Sequence, residues 1–219
     1  MSRHVSTPYS DLRQIRSLME RSRYFIGLSG LSGIGAGLSA LLGVAAYALY
    51  RAAAGEAVLG NPERLFDNAA HPWGIAVLPF LLVTAGVVVT LALLASYVFT
   101  QRRVSRLGHR IHDAKTYKLI ANLAVPLFVG GAFCLALLVY GLPGLIAPAT
   151  LIFYGLALLN GSNFVSEQLR VLAYLELGLG LLSLTVPGYG LYFWAAGFGV
   201  LHIAYGAWMY RKYDANEQS

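Results

Sequence analysis

The sequence predicts an all-α membrane protein: a bundle of six transmembrane helices preceded by an amphipathic helix at the membrane surface. Hydrophobic residues make up 57% of the 219 residues and charged residues only 12%, and the mean hydropathy is +0.61. Apolar stretches of about 20 residues recur, the length that crosses a hydrocarbon core of about 30 Å. Backbone groups cannot stay unpaired in lipid, and no alternating pattern suggests a β-barrel, so these stretches are expected to be helices.

Six apolar stretches have the length and composition of membrane spans. They are Tyr24–Tyr50, Gly74–Thr100, Tyr117–Tyr140, Leu142–Asn160, Leu169–Val186 and Tyr189–Tyr210. We therefore divide the chain into a cytoplasmic amphipathic segment at residues 1–23, a six-span bundle at residues 24–212 and a cytoplasmic tail at residues 213–219.

The distribution of basic residues predicts the orientation of the bundle. Residues 1–23 contain five Lys or Arg, the 100–118 connection six, the 160–170 connection one and the C-terminal end two (Arg211 and Lys212), whereas the opposite connections contain only Arg51 and Arg64. Basic residues concentrate on the cytoplasmic side of membrane proteins. Both termini are therefore expected in the cytoplasm. The net charge of +6 belongs to that face and favours anionic lipid over nucleic acid as a partner.

The segment before the first span has the pattern of a basic amphipathic helix. Its apolar residues fall on one stripe, whereas Arg13 and Arg16 lie elsewhere on the helix. Such a helix binds the headgroup region of a bilayer, and the alternative is a simple extension of the first span into water. Together with Arg102, Arg103 and Arg106 of the second cytoplasmic connection, these arginines are expected to face lipid.

The first span carries small residues at intervals of four. Ser29, Gly33 and Gly37 form a small-xxx-small ridge, which lets another helix approach closely. We expect the partner helix to belong to the same chain. The alternative is a second copy, which would make the protein a homo-oligomer.

Two ionisable side chains lie inside the last two predicted spans. Counting from Gly188, Glu176 is 12 positions earlier and His202 is 14 positions later. At a rise of about 1.5 Å per residue they lie roughly 18 and 21 Å from that turn, at nearly the same depth. Both share helix faces with small residues, which pack against helices rather than lipid. We expect the two groups to meet directly or through one water.

Three interpretations of this pair stay open. It is a structural hydrogen bond between spans five and six, since one such pair is adequate to join two helices. Alternatively, it belongs to a proton or substrate path with Asn122, Asn160 and Arg170, because histidine titrates near neutrality. In the third interpretation it supplies ligands or acid–base groups to a membrane enzyme, because ionisable groups within spans often serve function.

A scarcity of suitable side chains disfavours the enzyme. Glu176 is the only acid and His202 the only histidine within a predicted span. Membrane metal enzymes need several histidines or carboxylates at one site. His109 and His112 share a helical face, but they lie among cations that disfavour a metal ion. We therefore expect no metal and no cofactor.

Two stretches resemble a group of bacterial six-span inner-membrane proteins. They are YGLYFWAAGFGVLHIAYG at residues 189–206 and RSLMERSRYFIGLSGLSG at residues 16–33. The resemblance implies a place in the bacterial inner membrane and supplies no activity or site residue. We expect a non-catalytic membrane module that senses, binds ligand or lipid, or serves as a subunit of an assembly. The alternative is a small proton-linked transporter or channel that uses Glu176 and His202.

Overall fold

The structure, a computed structural model, describes residues 29–54, 72–106, 114–164 and 167–214. Over these ranges the chain is helical apart from short turns, with no strand, so the all-α prediction is confirmed. The predicted amphipathic helix with Arg13 and Arg16 lies outside the described residues, as do His109 and His112.

Six long helical segments follow one another along the described residues. The first five are α1 (Gly30–Ala54), α2 (Val77–Arg106), α3 (Ala114–Val139), α4 (Ile146–Gly161) and α5 (Glu167–Thr185). The last, α6, consists of four successive pieces: α-helical Gly190–Trp194, π-helical Ala195–Leu201, α-helical His202–Met209 and π-helical Tyr210–Asp214. Three-residue 3₁₀ turns at Pro72–Gly74 and Pro143–Leu145 precede α2 and α4.

Within the part of the chain that the structure describes, four helices are long and apolar enough to cross a membrane. They are Gly30–Ala54, Val77–Arg106, Thr116–Val139 and Pro143–Gly161. The helix α5 falls outside this group because Gln168, Arg170 and Glu176 lower its mean hydropathy. The helix α6 falls outside it because π-helical segments interrupt the α-helix.

The outward faces of the helices are apolar. Leu93 on α2 is 65% exposed, and on α3 Phe128 is 79% and Val139 83% exposed. Soluble proteins rarely expose contiguous apolar patches of this extent. A surface of this kind is typical of contact with lipid.

The helix α6 joins the two halves of the bundle. On one side α6 runs along α1, which packs against α2 on its opposite flank. On its other side α6 contacts α4 and α5, and α4 lies between α3 and α5. Among the described residues, α6 therefore makes its extensive contacts with α1, α4 and α5.

Glycines bring the backbones of α1 and α6 into contact. A Cβ atom on Gly33 would lie 3.1 Å from the Cα of Gly206, and one on Gly206 would lie 2.6 Å from the carbonyl oxygen of Gly30. A Cβ atom on Gly37 would lie 2.7 Å from the carbonyl oxygen of Gly199. Two residues of the predicted ridge, Gly33 and Gly37, thus pack against a helix of the same chain.

We predict that Gly206→Ala destabilises the bundle. The added methyl group would meet backbone atoms of Gly30 and Ile34 at 2.6 Å, and backbone cannot move aside as a side chain can. Overpacking of this kind costs about 1–3 kcal/mol, so thermal unfolding in detergent should begin at a lower temperature. Gly86→Ala on α2 is the control, because a Cβ there has no neighbour within 4 Å. Equal melting temperatures for Gly206→Ala and the wild type would contradict the contact.

Candidate functional site

Glu176 and His202 meet inside the bundle, as their matching depths predicted. Glu176 is fully buried on α5, and His202 on α6 is 6% exposed. The carboxylate Oε1 lies 3.3 Å from the imidazole Nδ1. The two groups therefore touch directly, with no room for a water between these atoms.

Tyr154 on α4 completes a three-residue cluster. Its hydroxyl oxygen lies 2.8 Å from Nε2 of His202, on the opposite side of the ring from Glu176. Tyr154 is not among the site residues predicted from the sequence. A signal was present, since Tyr154 lies in the middle of its span, whereas span tyrosines usually sit at the interfaces. A buried tyrosine hydroxyl also normally finds a hydrogen-bond partner.

The hydrogen bonds assign the tautomer of His202. Its Nδ1 lies 3.0 Å from the carbonyl oxygen of Gly197, and a carbonyl oxygen can only accept. Nδ1 therefore carries a proton that points at Gly197, and when the ring is neutral, Nε2 accepts a hydrogen bond from the Tyr154 hydroxyl. Gly197 belongs to the π-helical segment of α6, and π-helical turns are frequent at functional sites.

Gly197 is also the point at which α6 approaches α5 most tightly within the cluster. A Cβ atom on Gly197 would lie 2.5 Å from Oε2 of Glu176 and 2.5 Å from a methyl carbon of Leu151. Any larger residue at position 197 would displace the carboxyl group. The glycine thus makes the contact between Glu176 and His202 sterically possible.

The carboxyl group of Glu176 receives no hydrogen bond from the described residues. Neither Oε1 nor Oε2 has a partner of hydrogen-bonding geometry, and the Nδ1 of His202 is the nearest basic group. An unpaired ionised carboxylate in an apolar environment is prohibitively costly. Besides the proton on Nδ1, the pair must therefore hold at least one more proton, either on Glu176 or on Nε2 of His202.

Apolar side chains close the cluster on the side of the predicted cytoplasmic end. Leu158 of α4 and Leu172 and Ala173 of α5 lie one helical turn from the cluster and are buried in one core, with Leu119 and Leu169. On the opposite side, Leu151 is fully buried.

A shallow groove lies on the side of Leu151, between the turn that connects α3 to α4 and the turn that connects α5 to α6. It has a volume of about 280 Å³ and is lined by Pro143, Leu184, Pro187 and several glycines, with Ser183 at its edge. Ser183 is seven residues from Glu176 on α5, about 10 Å along the axis. Its hydroxyl is buried and has no hydrogen-bond partner among the described residues.

The other polar residues of the predicted path form separate contacts. The side-chain amide of Asn160 donates to the backbone carbonyl of Asn122 at 3.0 Å, which joins α4 to α3. Arg170 donates to Ser162 Oγ at 3.4 Å and to Asn163 Oδ1 at 3.3 Å. The structure therefore brings Glu176 and His202 together but does not bring Asn122, Asn160 or Arg170 to them.

The arginines at the end of α2 occupy two different environments. Arg102 and Arg106 are exposed, as a headgroup contact requires. Arg103 is only 7% exposed, so the prediction that it faces lipid is wrong. Successive helical residues point about 100° apart, so Arg103 turns into the protein while the other two turn away from it.

Comparison with other proteins adds no assignment. Within the described ranges, no three His, Cys, Asp or Glu side chains come together as metal ligands would. Comparison of the chain with family models, curated proteins and solved structures finds no match.

We predict that Tyr154→Phe lowers the stability of the folded protein. The change removes the donor to Nε2 of His202 and leaves a buried acceptor without a partner, which costs about 1–3 kcal/mol. Tyr174→Phe is the matched control, because Tyr174 on α5 is 58% exposed. Thermal unfolding of the two variants in the same detergent measures the difference. Equal losses in both would show that the Tyr154 hydroxyl contributes nothing specific.

Proposed function

We propose that all six helices cross the inner membrane of a bacterium, with both termini in the cytoplasm. The 19 residues of α5 would extend about 28 Å, close to the thickness of a hydrocarbon core. Glu176, one of the polar residues that lower the mean hydropathy of α5, is buried against protein rather than turned to lipid. Its presence is therefore compatible with a membrane-spanning α5. The exposed Arg102 and Arg106 fit the cytoplasmic headgroup region, where anionic lipid is the expected partner.

We propose further that the protein is a non-catalytic membrane module, which senses or binds a membrane component or serves as a subunit of an assembly. One observation carries this proposal. The Glu176–His202–Tyr154 cluster joins α4, α5 and α6 through contacts among three side chains, and it lies against buried apolar side chains. This cluster has the character of a junction between helices.

A second candidate is a proton-linked transporter or channel. It is favoured by the carboxyl group of Glu176, whose two oxygens lack hydrogen-bond donors, so that the cluster must hold a proton. Ionisable groups in membrane spans commonly form proton relays. Transport would require the apolar layers around the cluster to open alternately toward the two faces.

We predict that single cysteines will report six spans. In a Cys134→Ser background, Leu142→Cys and Tyr189→Cys should react with a membrane-impermeant maleimide in intact spheroplasts, because both residues are exposed at the predicted outer turns. Asn163→Cys and Arg211→Cys should react only after permeabilisation. Reaction of Asn163→Cys in intact spheroplasts, or opposite behaviour of Leu142→Cys and Tyr189→Cys, would contradict the topology.

Proton uptake into vesicles separates the two candidate functions. Purified protein is reconstituted with a pH-sensitive dye inside, and a potassium diffusion potential drives proton entry. The non-catalytic module should give uptake equal to that of empty vesicles. The transporter should give uptake that Glu176→Gln abolishes and Glu167→Gln preserves, because Glu167 is exposed at the start of α5. Uptake that depends on Glu176 would therefore reject the first proposal in favour of the second.

A further inference from the structure

We infer that the cluster holds its proton on Glu176, as a neutral carboxylic acid beside a neutral imidazole, and that the Gly197 carbonyl maintains this state by engaging Nδ1–H of His202. The inference rests on the proposed function only in placing α5 and α6 within a membrane. It assigns a protonation state and a positioning group to the site, and it holds whether or not the protein moves protons.

Both ring nitrogens of His202 have partners other than Glu176. The Nδ1 of His202 is 3.0 Å from the Gly197 carbonyl oxygen with hydrogen-bonding geometry, whereas its 3.3 Å contact with Oε1 of Glu176 lacks that geometry. On the far side of the ring, Nε2 lies 2.8 Å from the Tyr154 hydroxyl, which can donate to it. Both nitrogens of a neutral ring are therefore satisfied without Glu176.

Within the described part of the chain, the carboxyl group of Glu176 lacks the hydrogen-bond donors that an ionised form would need. Neither carboxyl oxygen has a hydrogen-bond partner among the described residues, and a Cβ atom on Gly197 would lie 2.5 Å from both Oε2 and a methyl carbon of Leu151, which cannot donate a conventional hydrogen bond. A buried ion pair is sustained only by close geometry and additional hydrogen bonds to both charges. Here the ion pair would have one long contact shared with a competing carbonyl and no further donor. The neutral pair avoids both charges.

The other groups that face the cluster do not change this balance. From α4 it is faced by Tyr154, and Tyr205 of α6 packs with Tyr154 against the same core. Arg170, on the same helix as Glu176, is engaged by Ser162 and Asn163 beyond the apolar layer of Leu172 and Ala173. Among the described residues, only the imidazole is close enough to neutralise an ionised Glu176.

The same geometry opposes release of the proton. Adding a proton to the neutral pair, or removing one, leaves a net charge in an apolar enclosure and is strongly opposed there. Proton transfer from Glu176 to His202 would break the carboxyl O–H bond and form a second N–H bond on the ring. Nδ1, the ring nitrogen nearest Glu176, already carries its proton, and the unprotonated Nε2 faces Tyr154 on the other side of the ring, so the carboxyl group has no acceptor within reach on the ring. By engaging Nδ1–H, the Gly197 carbonyl of the π-helical turn therefore holds the pair in its neutral state.

Infrared spectroscopy of the protein in lipid nanodiscs at neutral pH tests the inference. The wild type should show a protonated-carboxyl stretch that shifts slowly in D₂O because the site is closed. The stretch should be lost in Glu176→Gln and kept in Glu167→Gln. Absence of the stretch in the folded wild type, or its persistence in Glu176→Gln, would overturn the inference.

The melting temperature supplies a second and independent result. Glutamine has the shape of a protonated glutamate, so Glu176→Gln should fold and melt at the wild-type temperature. Failure of Glu176→Gln to fold, or a large loss that Glu167→Gln does not share, would indicate a buried ion pair and overturn the inference. Neither measurement depends on proton flux or on the number of spans, so the proposed function and this inference can fail separately.

Discussion

The contact between Glu176 and His202 is the constraint on which the packing of the last two helices depends. A carboxyl group with no access to water cannot be tolerated at an arbitrary position in an apolar bundle. The contact fixes the rotation of α5 and α6 about their axes, because turning either helix by one residue would separate the carboxyl group of Glu176 from the imidazole of His202. The contact also fixes their relative height, and Tyr154 then sets the position of α4 through the other ring nitrogen.

Glycine makes this arrangement possible on both sides of α6. Toward α1, Gly199 and Gly206 let two backbones touch, so that side chains do not separate the halves of the bundle. Toward α5, Gly197 leaves space for the carboxyl group and offers its carbonyl oxygen to His202. In lipid the hydrophobic effect gives helices little reason to associate, so close packing and polar contacts carry the association. The helix α6 packs closely against α1 on one face and makes polar contacts on the face toward α5.

A closed neutral cluster accounts for both a structural and a proton-linked role, and the difference lies in water access. While the layers formed by Leu151 and by Leu158, Leu172 and Ala173 stay shut, the cluster acts only as a polar contact among α4, α5 and α6. If motion of the π-helical turn admits water, the same groups become exchangeable with the solvent. The groove lined by Ser183 lies about two helical turns from Glu176 along α5.

The sequence by itself determined the helical class and the apolar surface, and it placed Glu176 and His202 at one depth, because hydropathy and helical rise are local properties of the chain. Only the tertiary structure decided that Tyr154 and Gly197 complete the cluster, that Asn122, Asn160 and Arg170 stand apart from it, and that Arg103 turns inward. Each of those outcomes depends on how neighbouring helices are rotated and offset against one another. That rotation is set by contacts between residues far apart in sequence, which no local pattern records.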